Sequence, residues 1–115
     1  GDSKMRVLIV GDEPGICQRL QRQLQKEDCE ADYTTSAIGV LERLKNAEQE
    51  GQAYALLLLD LRMSKVDGLS LLKKIQQARL DLDVVILTGY GDDDIELLSL
   101  LRGLAARRRE LEIET

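Results

Sequence analysis

The sequence contains no histidine, tryptophan or phenylalanine and only one proline among its 115 residues. Without histidine, the chain itself cannot use an imidazole for acid–base catalysis, and phosphohistidine chemistry would need a histidine on a partner. Without phenylalanine and tryptophan, the core must be built mainly from Leu, Ile and Val. The single proline and the short connections argue against an internal linker.

Cysteine and long apolar runs are also scarce. The two cysteines, Cys17 and Cys29, form no CxxC pair, which is typical of reduced thiols in the cytoplasm. We expect Cys17 to be a small core residue on a helix and Cys29 to lie at the end of a loop. The longest apolar run, Ala53 to Leu59, is too short to cross a bilayer, and we find no secretory signal. The sequence therefore predicts a cytoplasmic protein with no membrane segment.

The formal net charge of −5 argues against non-specific nucleic-acid binding by the domain. The cluster Arg107–Arg109 is typical of a solvated helix face. An apolar fraction of 43% is enough for one sizeable core. We interpret residues 1–3 as a cloning remnant and predict a single domain over residues 4–115.

Apolar segments alternate with amphipathic ones along the chain. The predicted strands cover residues 5–10, 30–34, 53–59 and 84–87. The first predicted helix has Pro14 in its first turn, Asp12 or Glu13 as a capping carboxylate, and an apolar face of Ile16, Leu20 and Leu24.

Three further helices are predicted from apolar spacing and capping residues. The second is capped by Thr35 or Ser36, carries Ile38, Leu41 and Leu44, and ends near Gly51. The third carries Leu69, Leu72 and Ile75, and the fourth opens at residues 92–94 with negative charge at its N-terminus.

The element order β-α-β-α-β-α-β-α predicts a doubly wound parallel sheet. Strands one, three and four lack polar alternation, which indicates that helices cover both faces. With strand order 2-1-3-4, the ligand crevice lies between strands one and three, at their carboxyl ends. Asp12, Asp60 and Thr88 follow or end three of these strands and are therefore expected to converge there.

Two carboxylates from different strand ends suit a hard cation such as Mg²⁺, with a backbone carbonyl just after Asp60 as a third ligand. An aspartate beside such an ion can also act as a nucleophile toward a phosphoryl group, and Thr88 could donate its hydroxyl to that group. Taken singly, Asp12 could be only a helix cap and Thr88 only a strand former. Their convergence favours a site. A phosphatase of the dehalogenase type is disfavoured because Arg62 stands where its second aspartate would be, and no dinucleotide or P-loop motif is present.

Three blocks, "VLIVGDEPGI", "LLLLDLRMSKVDGLSLLKKI" and "VVILTGYGD", resemble the response-regulator receiver domain of bacterial two-component signalling. The resemblance runs from about Met5 to Asp94 and implies a flavodoxin-like fold. It implies that Asp60 accepts a phosphoryl group from a sensor histidine kinase or phosphotransfer protein. It also implies that Asp12, Asp60 and the backbone carbonyl of Arg62 bind Mg²⁺, and that the Thr88 hydroxyl contacts the phosphoryl group.

The sequence departs from the pattern of that family at several positions. Gly11 stands where the family usually has a second acid, which predicts weaker or differently hydrated Mg²⁺ binding. Ser64 replaces a common proline, and no lysine follows Thr88 where the family has one. The segment after Leu101 is short for a fifth strand and a last helix, which we expect to be absent or altered.

Two functions stay open at this point. Asp12, Asp60 and Thr88 favour a phosphoacceptor module, whereas Gly11 and the missing lysine favour a degenerate receiver that acts by dimerisation or interaction without phosphorylation. An enzyme in the form of an independent hydrolase is disfavoured because no general base accompanies Asp60.

The C-terminal segment allows two structures. The alternation of Glu and apolar residues over 110–114 suits an edge strand, whereas Leu97, Leu101, Leu104 and Leu111 suit a helix. We favour one extended helix over residues 92–112. Apolar surface left by a missing fifth strand would need a partner, so we predict a homodimer through this segment.

Overall fold

A computed structural model describes the backbone of residues 4–60 and 65–87, and side chains over residues 4–60 and 68–86. The elements in chain order are β1 Met5–Val10, α1 Pro14–Lys26, β2 Cys29–Thr34, α2 Val40–Gln49, β3 Leu56–Asp60, α3 Lys65–Ala78 and β4 Asp83–Leu87. The four strands are parallel and lie in the order β2-β1-β3-β4. The predicted doubly wound sheet and its strand order are confirmed.

The two central strands are buried on both faces, because each face of the sheet carries helices. Val7 and Ile9 point toward α1 and pack with Leu20 and Leu24. Alternate residues of the same strands pack on the other face against α2 and α3. The unbroken apolar runs of β1 and β3 are thus a direct consequence of two-sided burial.

α1 follows its predicted pattern closely. Pro14 lies in the first turn, and Leu20 and Leu24 are buried, whereas Ile16 is half-buried. Glu13 occupies the position before the first helical residue, but its side chain makes no capping hydrogen bond, so a capping role for Glu13 is wrong. The fixed φ of Pro14 starts the helix without it.

The predicted start of the second helix is wrong. α2 begins at Val40, after Gly39 in the left-handed conformation with φ of 81°. Before it, the amide of Ile38 donates to the Ser36 hydroxyl and the amide of Ser36 donates to the Thr34 hydroxyl, at 3.1 and 3.3 Å. These local bonds form a turn in place of a helical one and leave Ile38 91% exposed.

Three smaller predictions are also corrected. Cys29 is not a loop residue: it is the buried first residue of β2 and lies opposite Met5. β3 begins at Leu56, three residues later than predicted, because its pairing with β1 begins where Leu56 lies opposite Val7. In α3, Lys65–Ala78, Ile75 of the predicted apolar face is buried and Leu72 is half-buried, but Leu69 is 56% exposed and Leu71 is buried instead.

Candidate functional site

The site lies at the carboxyl ends of β1 and β3. Val10 pairs with Leu59, and Asp60 pairs with Leu87, so β3 ends between β1 and β4. Gly11 and Asp12 follow β1 at the same edge of the sheet. This is the edge at which open parallel sheets bind ligands, and the predicted meeting of Asp60 with the loop after β1 is what the register produces.

Asp60 is the unusual residue of this edge. Over residues 4–60 and 68–86 it is the one charged side chain that is buried, with 4% of its surface exposed. A buried carboxylate needs hydrogen bonds or a cation to offset the loss of its hydration. This buried carboxylate lies at the edge of the sheet where open parallel sheets bind ligands.

Gly11 lies directly against Asp60. Its amide donates to the Thr34 carbonyl at 3.2 Å, which ties the end of β1 to β2. A Cβ placed on Gly11 would lie 3.2 Å from the Cβ of Asp60 and 3.5 Å from its Oδ2 atom. Sequence reasoning treated Gly11 only as a missing acid, whereas the structure shows a close approach between two strand ends.

Asp12 supplies the second carboxylate, and its side chain is exposed to solvent. Asp60 and Asp12 are thus one buried and one exposed carboxylate, and such oxygen donors are of the kind that Mg²⁺ prefers, with water in the remaining positions. In the part of the chain that the structure describes, no three His, Cys, Asp or Glu residues are grouped to hold a metal ion. A cation here would therefore depend on two carboxylates, backbone oxygen and water.

Several predicted residues fall elsewhere. Arg62 and Thr88 lie outside the described residues, as do Arg107–Arg109 and the predicted helix over 92–112. The structure therefore places Gly11 against Asp60, with Asp12 next in the chain. The roles of Asp12, Asp60, Arg62 and Thr88 stay predictions.

Cys17 is the residue that sequence reasoning placed in the core without connecting it to the site. Its Sγ atom donates to the Gly11 carbonyl at 3.6 Å and would lie 3.4 Å from a Cβ on Gly11. The sequence feature that could have predicted this contact is the short loop between β1 and α1, because it keeps the first turn of α1 close to the end of β1. Cys17 therefore lines the same small space as Asp60.

A separate polar cluster lies beside α2, nearer the amino ends of β1 and β3. The Tyr54 hydroxyl donates to Oδ2 of Asp32 at 2.7 Å, and Arg6 and Arg43 approach the same oxygen at 3.5 and 3.6 Å. The Arg6 guanidinium also stacks over the Tyr54 ring at 4.4 Å and donates to the Gln52 carbonyl. Burial and the hydrogen bond to Asp32 raise the pKa of Tyr54 above its usual value of 10.0. These contacts join β1, β2, α2 and the segment before β3 that contains Gln52 and Tyr54.

Comparison with known families gives a match over most of the chain. The family described as "Response regulator receiver domain" matches residues 7–104. The transcriptional regulatory protein PhoP of Bacillus subtilis is 32% identical over 98 residues, which cover 85% of this chain and 39% of that protein. The transcriptional regulatory protein BasR of Escherichia coli is 36% identical over 84 residues, covering 73% of this chain and 36% of BasR.

A solved structure of histidine kinase ThkA in complex with response regulator protein TrrA matches with a TM-score of 0.63 and 30% identity. The match covers 76% of this chain and 71% of the matched one. The chain spans about a fifth to two fifths of the length of the curated relatives it matches. No helix in the described ranges is both long and apolar enough to cross a membrane.

Proposed function

The chain belongs to the response regulator receiver domain family, a family of signalling modules of two-component systems, and from this premise we propose that it accepts a phosphoryl group on Asp60 from a histidine kinase or phosphotransfer protein, with Mg²⁺. The observation that carries this proposal is the burial of Asp60, the sole buried charged side chain of the described ranges, at the carboxyl end of β3. The absence of histidine from the sequence fits a module that receives the group from a partner.

The proposed transfer needs little from the protein besides position and charge. A carboxylate oxygen of Asp60 attacks phosphorus, the bond from phosphorus to the partner's imidazole nitrogen breaks, and its electron pair returns to the imidazole. The product is an acyl phosphate on Asp60. Burial holds the carboxylate in place at the end of β3 and keeps competing water away.

Asp12, Asp60 and the backbone carbonyl of Arg62 would hold the cation. Mg²⁺ at this point would offset the repulsion between the Asp60 carboxylate and the incoming phosphoryl oxygens. Thr88, which follows β4 in the sequence, would donate its hydroxyl to the phosphoryl group once it is in place. These roles rest on the family resemblance and on the strand register that brings Asp60 beside the loop after β1.

The partner is proposed from a relative. The matched regulator TrrA is described in complex with histidine kinase ThkA, and a further match of 32% identity and TM-score 0.59 is described as a transiently phosphorylated switch in bacterial signal transduction. We propose a kinase partner of that kind in the cytoplasm. The homodimer through residues 92–112 and the absence of direct nucleic-acid binding stay predictions.

One observation favours a second function. Gly11 provides no carboxylate and lies within close contact of Asp60, so the site holds one acid fewer than the family pattern. A site with weak cation binding would leave a degenerate receiver that works by interaction alone. Phosphorylation of Asp60 separates the two functions.

The test is incubation with MgCl₂ and acetyl phosphate, followed by intact-mass measurement. We expect the parent to gain the mass of one phosphoryl group and Asp60→Asn to gain none, because an amide oxygen is a poor nucleophile. Asp12→Asn should need more Mg²⁺ to reach the same yield, since one ligand loses its charge.

Asp28→Asn is the matched control. Asp28 is exposed, pairs with Lys4 at 3.6 Å, and has a positive φ of 63° that asparagine tolerates. Its yield should equal that of the parent. An unmodified parent at saturating Mg²⁺, or equal modification of Asp60→Asn, would refute the phosphoacceptor function and leave the interaction module.

A further inference from the structure

Hydrogen bonds on both sides of Asp12 hold the loop after β1. The amide of Gly11, the residue before Asp12, donates to the Thr34 carbonyl at 3.2 Å, across the end of the β1–β2 pair. On the other side, the Glu13 carbonyl accepts from the amide of Cys17 at 3.1 Å in the first turn of α1. The place of the Asp12 backbone is therefore set by β2 on one side and by α1 on the other.

Thr34 supplies more than a carbonyl to this arrangement. Its hydroxyl accepts a hydrogen bond from the amide of Ser36 at 3.3 Å and donates to the Ser36 carbonyl at 3.4 Å. The ring that the first bond closes contains the peptide group between Thr34 and Thr35, and the oxygen of that group is the one that accepts from Gly11. The side chain of Thr34 thus fixes the direction in which its own carbonyl points.

A movement of Gly11 bears directly on the site. A Cβ on Gly11 would lie 3.2 Å from the Cβ of Asp60, so the backbone of this residue lies close to the proposed phosphoacceptor. Asp12 is the next residue along the chain. Because Mg²⁺ demands near-ideal octahedral geometry, its affinity depends on where the Asp12 carboxylate is held relative to Asp60. The Thr34 carbonyl therefore acts on the cation site although β2 carries none of the proposed ligands.

We propose that Thr34 is a positioning residue of the phosphoacceptor site: its hydroxyl fixes its carbonyl, and that carbonyl holds Gly11 and so places Asp12 for Mg²⁺. Thr34 contributes no ligand to the cation and acts through the backbone of Gly11. The inference rests on the proposed function for its Mg²⁺ measurement, whereas its hydrogen-exchange measurement depends only on contacts within the fold.

The Mg²⁺ measurement is the rate of phosphorylation by acetyl phosphate at increasing concentrations of MgCl₂. Thr34→Val keeps the shape of the side chain and removes the hydroxyl. We expect it to raise the half-saturating Mg²⁺ concentration about threefold or more, because the loss of this hydrogen bond loosens the carbonyl that holds Gly11. The maximal rate should stay within about twofold of the parent, since Asp60 is unchanged, whereas a general loss of structure would lower the maximal rate.

Thr34→Ser and Thr35→Val are the matched controls. Serine keeps the hydroxyl at position 34 and should restore the Mg²⁺ requirement of the parent. Thr35 is the exposed neighbour, and its hydroxyl takes no part in the hydrogen bonds between Thr34 and Ser36. Thr35→Val should therefore need the same Mg²⁺ concentration as the parent. If Thr34→Val does not fold, Thr34→Ala takes its place, because it also removes the hydroxyl.

The second measurement is hydrogen exchange of the Gly11 amide, followed by NMR in metal-free buffer. We expect this amide to exchange about threefold faster or more in Thr34→Val than in the parent, because its acceptor is less well fixed. The amide of Ala55 is the internal reference. It donates to the Arg6 carbonyl at 2.8 Å near the other end of β1, so it should exchange at the same rate in both proteins.

An unchanged Mg²⁺ requirement in Thr34→Val, or an equal shift in Thr35→Val, would overturn the proposal. Equal exchange of the Gly11 amide in Thr34→Val and in the parent would overturn it as well. If the parent takes up no phosphoryl group at any Mg²⁺ concentration, the proposed function fails and the positioning role at the site fails with it. Hydrogen exchange then still decides whether the Thr34 side chain holds Gly11.

Discussion

Tyr54→Phe tests the polar cluster that joins α2 to the sheet. The change removes one hydroxyl, which donates to Oδ2 of Asp32 at 2.7 Å, and keeps the ring over which Arg6 stacks at 4.4 Å. We expect a loss of stability, because a hydrogen bond to a charged group contributes about 1.5–3 kcal/mol.

The expected loss is at the lower end of that range, about 1.5 kcal/mol. The side chain of Asp32 is 44% exposed, so water can replace part of the bond, and Arg6 and Arg43 still approach the carboxylate at 3.5 and 3.6 Å. For a domain of this size the loss corresponds to a fall in Tm of about 5 °C. Urea unfolding followed by far-ultraviolet circular dichroism measures it.

The contribution of the Tyr54 hydroxyl should depend on pH. Burial raises the pKa of Tyr54 above 10.0, its usual value, so the folded state favours the protonated phenol. The stabilisation is then fully present below pH 10 and is lost as pH rises through the pKa of the folded state. We expect the stability difference between the parent and Tyr54→Phe to be constant from pH 7 to 9 and to shrink above pH 10.

Tyr33→Phe is the control for this measurement. The Tyr33 hydroxyl accepts a hydrogen bond from Nε2 of Gln18 at 2.9 Å in an exposed pair, so its removal should change stability by less than about 0.5 kcal/mol. Equal stability of Tyr54→Phe and the parent at pH 7, or a larger loss for Tyr33→Phe, would refute the reasoning. A difference that grows above pH 10 would show that the sign assigned to the Tyr54 pKa is wrong.

Two further predictions concern the core and the corrected loop. Leu57→Ala should lower the free energy of unfolding by about 2–5 kcal/mol, because Leu57 is 0% exposed within β3. Urea unfolding measures the change, and a decrease in the free energy of unfolding of less than about 1 kcal/mol would contradict the burial. Ile38→Ser should change stability by no more than about 0.5 kcal/mol, since Ile38 is 91% exposed before α2. A large loss of stability from Ile38→Ser, measured in the same way, would contradict this exposure and support the predicted helix face.

Much of the fold follows from the sequence because buried positions show a recognisable pattern of apolar residues. The unbroken apolar runs of β1 and β3 predict strands covered on both faces, and the structure confirms them. Pro14 and the spacing of Leu20 and Leu24 predict α1 for the same reason. Each of these signals is local: it depends on which environment a residue enters, not on which distant residue it meets.

The predictions of element boundaries are wrong where local hydrogen bonds or strand pairing, rather than the apolar pattern, decide the structure. Ile38 continues the apolar spacing of the second helix, but the hydroxyls of Thr34 and Ser36 accept from backbone amides in a turn, and the helix begins only at Val40. Cys29 precedes a weak strand in the sequence, yet pairing with Met5 extends that strand and buries the thiol.

The sequence by itself determined the parallel sheet, its strand order and the strand end on which Asp60 lies. Only the tertiary structure decided that Gly11 lies against that carboxylate and accepts the Cys17 thiol hydrogen bond, since this depends on distances between β1, β3 and α1. Periodicity reports burial, whereas contact between residues far apart in the chain depends on register and helix placement. That is why Gly11 looks like a missing ligand in the sequence, whereas in the fold it is also a point of close contact with Asp60.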